Sequence, residues 1–135
     1  YDYCNVQIGY SDDAVETFDF PKNHMDYGSN IAAYYFWVFP NMMFNFYPWG
    51  LSINIVKPID INTTKISFLS YVYDKNKLHK GAGNDLDKVE REDELVVENV
   101  HKGVRSSFYK AGRFSPTREL GVHHFHRLLA QFLDN

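Results

Sequence analysis

The stretch Ala32-Ala33-Tyr34-Tyr35-Phe36-Trp37-Val38-Phe39 carries the densest β-signal in the chain, because apolar and aromatic side chains fill both alternating sets of positions. A strand that is apolar on both faces is typical of the interior of a sheet covered on both sides. The Pro40-Asn41 pair ends it. Alternation divides its large side chains between two faces, with Tyr35 and Trp37 on one and Tyr34 and Phe36 on the other.

Four further segments show the alternation of extended chain, and they predict an antiparallel sheet around this strand. They are residues 4–10, 42–46, 51–56 and 64–73. The last two are joined by a short stretch rich in turn residues, which is typical of a hairpin. Residues 11–30 are acidic and rich in turn residues, so they predict a long loop between the first two strands.

The pattern changes after the glycines at 81 and 83, where a long helix is predicted. Asn84 or Asp85 can cap its N-terminus. Apolar residues then recur with helical spacing, and Gly112 is predicted as the C-cap. The apolar stripe consists of Leu86, Val89, Val96, Val97, Val100 and Val104. All of these except Val96 are expected to pack against the sheet.

A second helix is predicted near the end of the chain. Ser115 is expected as its N-cap and Pro116 as its first residue, since proline is favoured at that position. Sheet segments followed by helical segments predict the α+β class, a curved antiparallel sheet with a long helix and a C-terminal helix behind it.

Composition excludes several classes of function. A chain of 135 residues is one domain. Fourteen basic against seventeen acidic residues give a net charge of -3, which argues against a nucleic-acid partner or a polybasic membrane patch. The longest apolar run, 31–39, is too short for a membrane helix. The single cysteine excludes an internal disulfide and fits a reducing compartment, so a cytoplasmic location is expected.

Asp93 is a charged residue among apolar ones. Helical spacing places it near the middle of the apolar stripe, between Val89 and Val97. A carboxylate in an apolar interior needs a partner, a proton or a metal, and the sequence leaves these three open. The other acidic side chains of the helix are expected on its flanks or far side. They are Glu90, Glu92, Glu94 and Glu98.

The three clustered histidines, His123, His124 and His126, lack the four-residue spacing of a helical metal site. They are predicted to be exposed or hydrogen-bonded, with His123 and His126 on one edge of the helix.

Several segments, taken in chain order, resemble the α subunits of Rieske-type non-haem iron oxygenases. Residues 34–45 resemble the family's central strand and residues 56–60 the hairpin that follows it. Residues 92–113, with Glu92-Asp93 followed by Val97-Glu98-Asn99-Val100, resemble the family's C-terminal helix signature. Residues 119–126 are similar to its closing helix. The resemblance covers nearly the whole chain, and within the ring-hydroxylating dioxygenases it points to the choline monooxygenase-like branch.

The resemblance implies a helix-grip fold of the START/Bet v1 type, and a mononuclear Fe(II) held by two histidines and one carboxylate. Asp93 matches the carboxylate and is expected to face the cavity, close to the inward side chains of the aromatic strand, Tyr35 and Trp37. Side chains expected to line the substrate pocket are Tyr35, Trp37, Asn45 and Val89. For a quaternary ammonium substrate, the aromatic residues could form a cation–π cage.

The family's paired histidines and Rieske cluster motif are absent from this sequence. Residues 1–135 are therefore expected to be the C-terminal part of a catalytic domain and inactive alone. The resemblance further implies a 2Fe-2S cluster elsewhere in the parent, electrons from NAD(P)H through a reductase or ferredoxin, dioxygen as co-substrate and a homotrimer. The alternative is a non-enzymatic module that binds a small molecule in a cavity of the same fold.

Overall fold

A computed structural model describes residues 1–13, 16–83 and 85–134. The chain forms a five-stranded antiparallel sheet in which each strand pairs with its neighbour in sequence, in the order β1-β2-β3-β4-β5. The elements are β1 Cys4–Tyr10, β2 Ile31–Val38, β3 Met42–Tyr47, β4 Gly50–Pro58, β5 Thr64–Val72, α1 Leu86–Val104 and α2 Leu120–Leu133. The predicted α+β class and all five predicted strands are confirmed, with ends that differ by one or two residues.

The pairing register divides the sheet into two faces, because residues directly opposite each other in an antiparallel sheet point the same way. Tyr35 lies opposite Asn45, which lies opposite Ser52, which lies opposite Ser70. Trp37 is two residues beyond Tyr35 and contacts Phe125 of α2, with ring centroids 4.9 Å apart. This side of the sheet, which we call the helix-facing side, is therefore the one over which the helices lie.

The opposite face carries Tyr34 and Phe36, as the alternation predicted. Phe18, from the long β1–β2 loop, packs against Tyr34 at 5.6 Å between ring centroids. Phe36 meets Phe46 of β3 edge to face at 5.8 Å. The loop thus covers one end of this face with aromatic contacts.

The best-packed cluster lies at one end of the helix-facing side, around the β3–β4 turn. Ala33, Tyr47 and Trp49 are buried there, and Trp49 keeps only 1% of its surface exposed. The rings of Tyr47 and Trp49 stack at 5.2 Å. Leu86, the first residue of α1, packs against this cluster together with Leu78 and Ala82. The start of α1 is therefore fixed to the sheet by apolar contacts.

Helix α1 begins where the sequence predicted. The Oδ1 atom of Asp85 accepts a hydrogen bond from the backbone N–H of Lys88 at 3.3 Å, which makes Asp85 the N-cap. The other candidate, Asn84, lies outside the described residues.

The prediction of Gly112 as the C-cap of α1 is wrong. The helix ends at Val104, because the Arg105 guanidinium donates to Asn62 Oδ1 at 2.7 Å and to the carbonyl oxygen of Ile61 at 2.9 Å. These bonds hold the helix end on the β4–β5 turn. The Ser106 N–H donates back to the Gly103 carbonyl, and a separate turn follows in which the Tyr109 N–H donates to the Ser106 carbonyl.

The expected packing of the α1 valines against the sheet is also wrong. Val89, Val97, Val100 and Val104 keep between 44% and 61% of their surfaces exposed, and no residue of α1 is fully buried. The contacts described above use Leu86 at the start of the helix and Arg105 just beyond its end. The valine stripe lies to one side of the line that joins these two contacts. The described part of the chain does not cover it.

Helix α2 begins at Leu120, four residues later than predicted. Ser115 does act as a cap, but of the single turn at 116–118 rather than of the helix. Its Oγ accepts from the Arg118 N–H at 3.3 Å, and Glu119 Oε2 accepts from the Ser115 N–H at 2.6 Å. This reciprocal pair resembles a capping box. Among the described residues, no helix combines the length and hydropathy needed to span a membrane.

Candidate functional site

A row of polar side chains crosses the helix-facing side of the sheet. Tyr35 and Asn45, both predicted to face the substrate, are direct cross-strand partners in this row. Next to them Ser52 is buried, and its hydroxyl lies 3.4 Å from Oδ1 of Asn54. Buried polar groups normally have a hydrogen-bond partner, and a row of them in the middle of a sheet face is unusual. The row therefore makes this face the candidate for a functional site.

Small-molecule sites are usually clefts of about 300–1,000 Å³. One of ≈ 630 Å³ lies between the β3–β4 turn, β5 and the start of α1. Its lining includes Trp49, Ser70, Leu78 and Leu86. Ser70 is the last member of the polar row, so the cleft continues the row toward the start of α1.

The cleft contains a buried donor without a partner. The indole Nε1 of Trp49 is inaccessible to solvent and has no hydrogen-bond partner among the described residues. Gly83 passes over it so closely that a Cβ there would lie 3.1 Å from Nε1. This N–H is therefore enclosed by the backbone at Gly83 and not open to the cleft.

Three aromatic side chains form a continuous surface, which we call the aromatic wall: Tyr35, Tyr47 and Trp49. Tyr35 meets Tyr47 edge to face at 5.9 Å, and Tyr47 stacks on Trp49. Burial raises the pKa of Tyr47, and the neighbouring Tyr35 and Glu90 raise it further. Tyr47 therefore stays a neutral phenol with an intact ring face and hydroxyl.

Glu90 is the carboxylate of α1 that reaches the sheet. Asn54 Nδ2 donates to its Oε1 at 3.4 Å. Burial raises the pKa of Glu90, the hydrogen bond from Asn54 opposes that shift, and the charges of Asp93 and Glu94 raise it again. In the part of the chain that the structure describes, no Lys, Arg or His forms an ion pair with Glu90.

Sequence analysis missed Glu90, which was expected on the flank or far side of the helix. The spacing to Leu86 could have found it, because residues four apart share a helical face and Leu86 is the residue of α1 in the core cluster.

The raised pKa of Glu90 gives a testable dependence of stability on pH. Ionised Glu90 is less favourable in the folded than in the unfolded chain, so its ionisation lowers the free energy of unfolding as pH rises above the ordinary value of 4.5. Glu90→Gln keeps an oxygen that can accept from Asn54 and removes the charge. We expect it to raise the urea midpoint at pH 7, with the gain vanishing below about pH 4.

Glu92→Gln is the matched control, because Glu92 is exposed on the same helix and is not among the charges that act on Glu90. It should leave the midpoint nearly unchanged at both pH values. A Glu90→Gln variant that is less stable than the wild type at pH 7 would show that the carboxylate stabilises this fold.

Asp93 lies one helical turn after Glu90 and is exposed, as is Val89, which keeps 49% of its surface. The expectation that Asp93 would be enclosed beside the aromatic strand is wrong for the described residues, because nothing in them covers the valine stripe around it. Asp93 is nevertheless close enough for its charge to act on Glu90. Its assignment as a metal ligand stays a prediction, as does the substrate-lining role of Val89.

Trp37 differs from Tyr35 in what it contacts. Its indole ring lies edge-on between Phe39 at 5.9 Å and Phe125 of α2 at 4.9 Å. Trp37 therefore fills the layer between the sheet and α2, while Tyr35 belongs to the aromatic wall and Asn45 to the polar row beside it. Their predicted contacts with substrate stay predictions.

The described residues contain no group of three or more His, Cys, Asp or Glu side chains that could hold a metal ion. His124 Nδ1 lies 2.9 Å from Asn5 Oδ1, and its Nε2 lies 3.1 Å from the Asp2 carbonyl oxygen. His123 and His126 both lie against the ring of Phe114, at 5.0 and 5.2 Å. The three histidines thus hold α2 in place, and the two predicted to share an edge do so.

Comparison with known proteins gives a consistent result. The family model described as "Ring hydroxylating alpha subunit (catalytic domain)" matches residues 13–135. The choline monooxygenase of Atriplex hortensis is 34% identical over 107 residues, which are 75% of this chain and 24% of that protein. The choline monooxygenase of Spinacia oleracea is 33% identical over 76% of this chain and 24% of its own length.

A bacterial relative matches more of the chain. The carnitine monooxygenase oxygenase subunit of Escherichia coli K12 is 29% identical over 93% of this chain and 36% of its own length. The chain thus spans about a quarter to a third of the length of these relatives. No solved structure gives a significant match.

Proposed function

The chain belongs to the family of ring-hydroxylating α-subunit catalytic domains, and from this premise we propose that it is the C-terminal part of the catalytic domain of a Rieske-type oxygenase. The proposed reaction is the activation of dioxygen to hydroxylate a small organic molecule. The match over residues 13–135 is the observation that carries this proposal. Residues 1–135 are proposed to supply one part of the pocket, and the helix-grip fold is proposed for the whole domain.

Asp93 is proposed as one of the ligands of a mononuclear Fe(II), at the position where the family's helix signature has its carboxylate. The donor set of the described residues does not complete an iron site, because no three candidate ligands converge. The two histidines of the facial triad would have to come from outside this chain. A 2Fe-2S cluster, an NAD(P)H-dependent reductase or ferredoxin and a homotrimeric parent are proposed with the same reaction, as is a reducing compartment such as the cytoplasm.

A quaternary ammonium compound is the proposed substrate class. The relatives named above are two choline monooxygenases and a carnitine monooxygenase oxygenase subunit. The aromatic wall supports this class, because a cation over the face of Tyr or Trp is attracted by the ring. An aromatic substrate is the second candidate, favoured by the apolar rings of the same wall.

The proposal is tested by turnover of an oxygenase that contains this chain, supplied with a reductase and NADH. We expect oxygen uptake and hydroxylated product with a quaternary ammonium substrate, in equal amounts. Binding of the substrate without any product, in protein with full iron content, would favour the non-enzymatic binding module instead.

The 135-residue chain alone is expected to bind iron weakly and to be inactive. One carboxylate provides too few ligands for Fe(II), which prefers a facial triad. Metal analysis after loading with Fe(II) under anaerobic conditions should find well below one iron per chain. Stoichiometric iron would contradict this expectation, and Asp93→Ala would then show whether that iron depends on Asp93.

A further inference from the structure

We propose that the face of the sheet turned away from the helices, which we call the outer face, is a docking surface for another part of the parent catalytic domain. The occupant is a segment outside residues 1–135 that presents apolar, uncharged side chains to the sheet. This inference rests on the part of the proposed function that places the chain within a longer catalytic domain. The outer face lies across the sheet from helix α1, which carries Asp93, so its cover is separate from the proposed metal site.

The pairing register defines the outer face. Residues opposite each other in neighbouring strands point to the same side, and on this side three rows cross all five strands. The rows are Ile8-Tyr34-Phe46-Leu51-Tyr71, Val6-Phe36-Phe44-Ile53-Leu69 and Cys4-Val38-Met42-Ile55-Ser67. All of these residues except Ser67 are aliphatic, aromatic or sulfur-containing, and none is charged. Antiparallel sheets that face water on one side carry polar residues there, so this pattern is typical of a covered face.

The outer face is nevertheless open in this chain. None of the residues in the three rows is fully buried, and Val6 and Leu69 keep 38% and 42% of their surfaces exposed. The β1–β2 loop covers the end around Tyr34 through Phe18, whereas α2 contacts the opposite side of the sheet at Trp37. Strand and row spacings give the three rows a size of roughly 19 Å by 14 Å. A contiguous apolar surface of this kind marks an interaction site.

The total surface of the chain shows that one contact would not cover it. A compact monomer of this mass exposes about 7,300 Å², whereas this chain exposes 10559 Å². The excess of about 3,200 Å² is larger than the roughly 1,000–2,500 Å² that one partner buries in a permanent interface. The outer face and the exposed valine stripe of α1 both contribute to this excess, and they lie on opposite sides of the sheet.

This arrangement favours a longer chain over a second copy as the occupant. A second copy on the outer face would leave the valine stripe open. Two copies paired through the stripe would bring Asp93 close to its counterpart, and like charges across an interface are unfavourable. A longer chain can cover both sides of the sheet, and the relatives named above are several times longer than the part that this chain matches.

The test compares how fast a thiol on the outer face reacts with N-ethylmaleimide in the 135-residue chain and in the native parent. Val6→Cys and Leu69→Cys, each made together with Cys4→Ser, place the thiol at opposite edges of the middle row. Labelling is measured by mass spectrometry of the peptide that contains the new cysteine. We expect it to be at least about 50-fold slower in the parent, because a covered thiol reacts only after local opening.

Lys75→Cys is the matched control, since Lys75 is exposed in the turn after β5, which carries two lysines. It should react equally fast in the chain and in the parent. Native Cys4 lies in the third row and allows the same comparison without any substitution. The test therefore does not depend on the folding of the cysteine variants.

Equal rates in the chain and the native parent at both middle-row positions would overturn the inference. Slow labelling of the isolated chain that becomes fast on dilution would also overturn it, because a second copy would then be the occupant. Labelling requires neither iron nor turnover. A failure here therefore leaves the proposed reaction standing, and an inactive parent could still protect the outer face.

Discussion

Replacing Gly50 with alanine is expected to unfold most of the protein. A Cβ at Gly50 would overlap the backbone carbonyl oxygen of Tyr71 and lie 3.1 Å from the backbone N of Tyr73. Neither atom can move freely, because Tyr71 pairs with Leu51 in the sheet and the Tyr73 N–H donates to the Trp49 carbonyl at 2.8 Å. We expect a loss of about 4 kcal/mol or more, a large fraction of the stability of a domain this size.

Gly103→Ala is the matched control for this substitution. Gly103 lies in the last turns of α1, and a Cβ there would meet nothing within 4 Å. Alanine should therefore be neutral or stabilise the helix by up to about 1 kcal/mol. The two variants are compared by their midpoints of urea denaturation, monitored through the fluorescence of the buried Trp49. Equal midpoints for Gly50→Ala and Gly103→Ala would show that the sheet can open at this turn at little cost.

The sheet could be predicted from the sequence because its signals are local. Alternation fixes which side chains share a face, so the separation of Tyr35 and Trp37 from Tyr34 and Phe36 was predicted correctly. Turn residues fix where strands end, and these ends were predicted to within one or two residues. Pairing each strand with its neighbour in sequence needs no long-range information, which makes a sheet of this order accessible to sequence analysis.

The helix ends could not be predicted as well, because they depend on contacts between distant residues. Helix α1 ends where Arg105 reaches Asn62 and Ile61, which are more than forty positions earlier in the chain. Near α2, Ser115 and Pro116 do form the start of a turn, but Glu119 closes that turn on Ser115 before the helix begins. At both places the sequence carried a local signal, Gly112 for the end of α1 and Ser115-Pro116 for the start of α2. A side-chain contact instead decided where α1 ended and what preceded α2.

The candidate site was predicted in part. Tyr35 and Asn45, two of the residues expected to line the pocket, are cross-strand partners, and their contact with substrate stays a prediction. The apolar stripe, however, was taken to face the sheet, whereas the contact line runs beside it through Leu86 and Glu90. A helical wheel shows which residues share a face but not which face meets the sheet. The exposed valines around Asp93 are the consequence.

Replacing Asp93 with alanine in an oxygenase that contains this chain is expected to abolish turnover and iron binding while leaving the fold intact. Residues that merely support a metal ligand are worth about 10–100-fold, so loss of a ligand should reduce activity by more than about 100-fold. Asp93 is exposed in this chain, and none of its side-chain contacts are part of the core cluster. Its removal should therefore change the free energy of unfolding of the 135-residue chain very little.

Glu92→Ala is the control for the effect of losing one negative charge at this part of α1, because Glu92 is the exposed neighbour of Asp93. It should keep wild-type iron content and turnover. Iron is measured by metal analysis and turnover by substrate-dependent oxygen uptake, on protein whose unfolding midpoint has been checked. If Asp93→Ala retains both iron and activity, another residue supplies the carboxylate and the exposed position of Asp93 has no metal role.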